Sequence, residues 1–243
     1  MFGRGLKFLS ISTAVLVVGA FAMVFFYAPN DADQGFVQKI FYLHVPLALV
    51  TLGGFIAGGV WGLRYLRTGD GAHDLRSYVA IHLSLILAIG TLITGSIWAR
   101  ASWGHWWVWN EPTLVAFLIV FLLYACYQPL RFSIEDRERQ ARYAAVFAVV
   151  AGAFVPVNFL AVRFAQQATT HPRVLTTSDS MPGPMALTFL VSLAAIAVLW
   201  VTLWKYELAS KHASIQLAML RRRLAGDNEG LLAAGRSAAP QEL

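Results

Sequence analysis

The chain has 243 residues, 58% of them hydrophobic and only 13% charged, and a mean hydropathy of +0.59. A soluble domain carries roughly 25% charged residues, so an ordinary soluble fold is excluded, and several apolar runs reach the ~20 residues that cross a bilayer as helix. The net charge of +6 does not indicate nucleic acid, because the basic residues flank apolar segments, where orientation in a membrane accounts for them. The single cysteine, Cys126, excludes an internal disulfide, and without a Cys-x-x-Cys-His run the chain is not itself a c-type cytochrome.

In chain order, apolar runs predict six spans at about 8–28, 40–63, 78–98, 113–130, 143–162 and 185–204. The expected fold is an all-α integral membrane protein, a six-transmembrane-helix bundle. The first run follows Arg4 and Lys7 and is longer than the 7–15-residue core of a signal peptide, so it reads as a retained first helix. Alternate connections carry fifteen and four Lys and Arg residues. That asymmetry places both termini in the cytoplasm and leaves the 29–39, 99–112 and 163–184 connections outside. The glycines of "GGFIAGG", with Thr91, Thr94, Ser96 and Asn158, read as helix-packing positions. Residues 1–204 form the expected membrane domain, and 205–243 a cytoplasmic amphipathic helix followed by a flexible tail.

The second outer-side connection reads "ASWGHWWVWNEPT" and holds Trp103, Trp106, Trp107 and Trp109, half of the eight tryptophans in the chain. An interfacial aromatic belt spreads its indoles over many helix ends. Four in seven positions, with Gly104 to let the backbone bend, instead offer a broad apolar shelf for a large flat aromatic guest. Histidines stand on the same side. His44 lies in "KIFYLHVPLA" at the start of the second span, and His171 lies in "QQATTHPRVLT". Within a span an ionisable residue marks either a functional site or a cross-link between helix ends, and Pro172 biases His171 toward an extended backbone. Neutral imidazoles are good ligands for a transition metal. Haem meets both demands, with a flat macrocycle for the indoles and two axial positions for two histidines. Of the outer cations Lys39, Arg100, Arg163 and Arg173, at least one is expected to pair with a haem propionate, the others being interfacial anchors. His82, one turn inside the third span, is expected to bond to a neighbouring helix, and His73 and His212 to be solvated.

"SWGHWWVWNEPT" together with "IFYLHVPLA" resembles the tryptophan-rich membrane haem-handling proteins of cytochrome c assembly, and among them the protein C family of the cytochrome c maturation system (CcmC). The resemblance runs from the first span to the sixth. It implies an outer-face haem platform on the tryptophan segment, with His44 and His171 as axial ligands and haem b as a transient cargo. It further implies transfer to a periplasmic haem chaperone (protein E), work alongside a small membrane subunit (protein D) and an ATP-binding cassette complex (proteins A and B), and residence in the bacterial inner membrane. No catalytic turnover is implied. The sequence departs from the family pattern where Asn110 stands in place of an aspartate. Asn110 is expected to cap the fourth span with Pro112 in its first turn, and Glu111 to supply charge in its stead. His105 is either a third, transient ligand, a propionate partner or an exposed interface residue. The competing reading is a cytochrome b-like, quinone-reactive redox subunit, in which ligand histidines face one another inside the bundle.

Overall fold

The computed structural model describes residues 5–164 and 181–237, with side chains described at 5–160, 162, 164 and 181–224. Seven α-helices appear among these residues: α1 (Leu6–Ala22), α2 (Phe41–Thr68), α3 (Gly71–Trp103), α4 (Pro112–Ala125), α5 (Tyr127–Phe132), α6 (Arg137–Phe164) and α7 (Gly183–Ser237). A π-helical turn, Met23–Tyr27, extends α1, and a 3-10 turn, Phe36–Ile40, leads into α2. Six stretches are long and apolar enough to cross a membrane, with α4 and α5 sharing one of them, Pro112–Phe132. The protein is a multi-pass membrane protein, as expected, but its helices overrun the predicted spans. For example, α3 begins at Gly71 rather than near residue 78. Helix propagation adds one hydrogen bond per residue, so a helix continues into polar sequence until a cap ends it. α7 likewise passes Trp204 without a break.

The turn between α2 and α3 is such a cap. Gly69 at φ 70° takes the left-handed position that closes α2, and the Asp70 carboxylate accepts from Ala72 N at 2.9 Å to open α3. These two helices therefore lie antiparallel. The glycines of α2 set its distance from its neighbours. A Cβ on Gly54 would fall 2.0 Å from Ser84 Oγ and one on Gly58 2.6 Å from Ile81, both in α3. On Gly59 and Gly62 it would fall 2.9 Å from Ala148 O and 3.0 Å from Ala145 O, both in α6. The expectation that these glycines serve helix packing holds. Phe55 stacks on Tyr124 at 3.8 Å beside them, while the exterior carries exposed Phe8, Val150 and Val157, as lipid contact requires.

Two ends of the bundle follow from side-chain contacts. Ser10 meets Tyr206 and Thr13 meets Thr202, both at 2.8 Å, so the start of α1 lies beside the later part of α7. The α2–α3 turn and α5 reach the same end, where Arg131 bridges to Asp74 at 2.6 Å. This arginine end gathers the connections rich in Lys and Arg. The opposite, tryptophan end holds residues 28–40, the 103–112 connection and the start of α7.

Candidate functional site

His44 sits in the first turns of α2 and faces α3. Its Nδ1 lies 3.1 Å from Thr94 Oγ1. The one proton of Thr94 is already donated backward along the helix, to Gly90 O at 2.8 Å with Thr91 O at 3.1 Å. A hydroxyl whose proton is committed accepts, so this contact fits an imidazole that donates from Nδ1. That is the tautomer a metal ligand needs, with its second nitrogen held by an orienting partner. Trp98 meets the His44 ring edge-on at 5.8 Å. Gly95 makes room for it, since a Cβ there would lie 2.7 Å from His44 Cε1. Trp98 Nε1 in turn donates to Gln34 Oε1 at 2.8 Å, and Asp31 accepts from the backbone of Asp33 and Gln34. The 29–35 connection is thereby tied to the wall behind His44.

The same helix carries the wall into the tryptophan segment. From Trp98 to Trp103, the last residue of α3, five residues rise about 7.5 Å, and Gly104 at φ 78° then ends the helix. Arg100 donates to Gly104 O. Trp106 and Trp109 project outward, 60% and 74% exposed. Trp107 is half-buried, and its Nε1 is enclosed with no hydrogen-bond partner among the described residues. Trp107 and Trp109 meet at 5.9 Å with their planes 66° apart. These two indoles form a corner rather than one flat sheet. Among the described residues no three His, Cys, Asp or Glu side chains gather as a metal site. The arrangement suits a metal that brings its own equatorial donors and asks the protein only for an axial imidazole and apolar cover.

The family model for heme exporter protein C matches residues 1–224. The chain belongs to the heme exporter protein C family. Relatives bearing that name include one from Paracoccus denitrificans, 33% identical over 175 residues that cover 68% of this chain and 72% of the relative. One from Bradyrhizobium diazoefficiens is 30% identical over 226 residues, 91% of this chain and 81% of the relative. One from Escherichia coli K12 is 26% identical over 169 residues, 67% and 66% respectively.

Within this member of the heme exporter protein C family, His44, Arg100 and the four tryptophans lie at one end of the bundle. His171 and Arg173 fall outside the described residues, as does the side chain of Arg163. Asn110 does not cap the fourth span. The N-cap is Glu111, whose side chain accepts from Thr113 N and is only 2% exposed, while Asn110 is exposed. Pro112 explains the shift: occupying the first helical position, it makes the residue before it the cap. A carboxylate so enclosed serves the α4 N-terminus. Lys39 donates to Val24 O at 2.8 Å and Ala28 O at 3.2 Å, satisfying carbonyls at the end of the first helix. His105 is exposed.

His82 does bond to a neighbouring helix, accepting at Nδ1 from Gln128 Nε2 at 3.2 Å. The twelve residues of α3 between it and Thr94 span about 18 Å, so His82 and His44 do not share one macrocycle. His73 is not simply solvated. It is half-buried and stacks on Trp61 at 5.4 Å. The residues missed in sequence were Gln34, Trp98 and Gly95, together with Thr94's role toward His44. Trp98 carried one signal, since it lies about one turn before the segment on the same helix.

Proposed function

We propose that this family member binds haem b at the tryptophan end, as a transient cargo, and passes it to a periplasmic haem chaperone during cytochrome c maturation. The tryptophan end faces outward and both termini lie in the cytoplasm of a bacterial inner-membrane protein. The fifteen-to-four distribution of cations supports that orientation. His44 Nε2 supplies one axial ligand. His171 supplies the other from the connection between α6 and α7. Trp103, Trp106, Trp107 and Trp109 cover the macrocycle. Arg100 and Arg173 pair with the propionates. The small membrane subunit (protein D), the ATP-binding cassette complex (proteins A and B) and the chaperone (protein E) are the proposed partners.

The single observation that carries this reading is the hydrogen bond between His44 Nδ1 and Thr94 Oγ1, made to the helix that ends as the tryptophan segment. Haem supplies the iron and its four equatorial nitrogens. The protein orients one imidazole, excludes water with indoles, and takes its second ligand from a separate connection of the chain. Absorption spectra of purified wild type, His44→Ala and His171→Ala test it. Wild type is expected to carry the low-spin haem bands of two nitrogen ligands, and each variant to lose them or convert to a high-spin spectrum. Unchanged spectra in either variant would sink the ligand assignment.

A further inference from the structure

An apolar slot of about 340 Å³ opens between α1, the start of α2, α3 and α7. Its volume lies at the small end of the ~300–1,000 Å³ typical of ligand pockets. Val17, Ala20, Ala195 and Ile196 line its deep part, and Lys39 stands at its outer part. Two buried hydroxyls also line it, those of Tyr42 and Ser192, which are 2% and 3% exposed. Neither oxygen meets a partner at full hydrogen-bond geometry among the described residues, although the Gln38 side chain lies within interacting reach of the Tyr42 hydroxyl. Leaving a buried hydroxyl unpaired costs about 1–3 kcal/mol, and a serine within a helix can ordinarily donate to the carbonyl four residues back.

The levels of these groups fit one kind of molecule. Tyr42 is three residues beyond Lys39, about 4–5 Å deeper by helical rise. Phe189 stacks on Phe41 at 5.2 Å, so Ser192, one turn further into α7, lies near the level of Tyr42. Lys39 spends two hydrogen bonds on carbonyls and forms no ion pair among the described residues. An ammonium has three protons to give. From the surface inward the slot thus offers a cation, then hydroxyl donors, then a purely apolar channel.

We infer that the slot binds one glycerophospholipid of the leaflet at the tryptophan end. Its phosphate pairs with Lys39, an ester carbonyl accepts from the Tyr42 and Ser192 hydroxyls, and an acyl chain fills the channel. Trp98 forms part of the slot wall and also packs against His44, so the lipid braces the side of the candidate site away from solvent. The lipid assignment itself does not depend on the haem reading.

The test uses the full chain in vesicles that contain a phosphatidylglycerol with a photoreactive diazirine in one acyl chain, and maps cross-links by mass spectrometry. Wild type is expected to label Val17, Ala20 or Ile196 at least tenfold above the lipid-facing residues Val150 and Val157. A diacylglycerol bearing the same chain, which lacks the phosphate, should label the slot at least fivefold less, and this arm needs no variant. Lys39→Gln, confirmed as folded by its melting curve, should show the same drop with the phospholipid. Even labelling over all apolar faces, or equal labelling by the two probes, would overturn the inference. So would loss of slot labelling on adding haem when excess unlabelled phospholipid does not compete, which would make the slot a haem path. Displacement of the probe by a co-purified transmembrane subunit, with no lipid retained in the slot, would also overturn it.

Discussion

The two ends of the bundle solve the same problem in opposite ways. At the arginine end the polar groups are answered from within the chain. Arg131 makes a two-pronged contact with Asp74 at 2.6 and 2.7 Å, donates to the Tyr127 hydroxyl at 3.2 Å, and sits over Tyr78. Nearby, Arg64 and Arg76 rest on Trp61, which also stacks with His73 and Trp204. At the tryptophan end fewer polar groups are answered among the described residues. Of five buried polar side-chain atoms without partners among the described residues, four lie there, on Gln38, Tyr42, Trp107 and Ser192. Two indoles also stand out from the surface. Among the described residues, one end is finished by its own contacts, while the other leaves four polar atoms and exposed indoles without partners.

That contrast can be broken first at the arginine end. Arg131→Met leaves Asp74 as an uncompensated carboxylate in a pair whose side chains are only 10% and 15% exposed. Removing one partner of such a pair costs about 3–5 kcal/mol, read as a lowered unfolding midpoint in detergent. The double variant Asp74→Leu with Arg131→Met should recover most of that loss, and the haem spectrum should be unaffected in whatever fraction remains folded. If haem binding vanished from folded protein, the two ends would not be independent.

Next in size is Thr94→Val, which keeps the shape of the side chain and removes the acceptor for His44 Nδ1. Loss of an orienting partner behind a metal ligand typically costs 10–100-fold in affinity. Haem titration is expected to show a drop in that range with little change in melting. Wild-type affinity in this variant would mean that Thr94 does not set the tautomer. The smallest effect is expected of Trp98→Phe, which loses the hydrogen bond to Gln34, worth about 0.5–1.5 kcal/mol. It should speed hydrogen exchange in the 29–35 connection while leaving the arginine end protected. Equal exchange in wild type and variant would show that this connection is held by other contacts.

Much of the architecture could be read from the sequence. The six apolar runs, the glycines that let α2 approach two neighbours and the tryptophan segment were all visible there, because hydropathy and local spacing are properties of consecutive residues. The cap of α4 was misread by one position. Asn110 and Glu111 are both plausible caps by type, and the choice turned on which one precedes a proline at the first helical position. The pairing of His44 with Thr94 was out of reach, since the two are 50 residues apart and either could have faced elsewhere on its helix.

The order of residues alone determined that this chain crosses a membrane six times and gathers half of its indoles in one connection, since an apolar run of helical length must leave water wherever it stands in a fold. Only the packing of helices decided which side chain His44 Nδ1 meets, which carboxylate is enclosed, and where hydroxyls are left without partners. Those outcomes depend on which faces of distant helices meet, and a difference of one residue, about 100° around a helix of 3.6 residues per turn, is enough to change them.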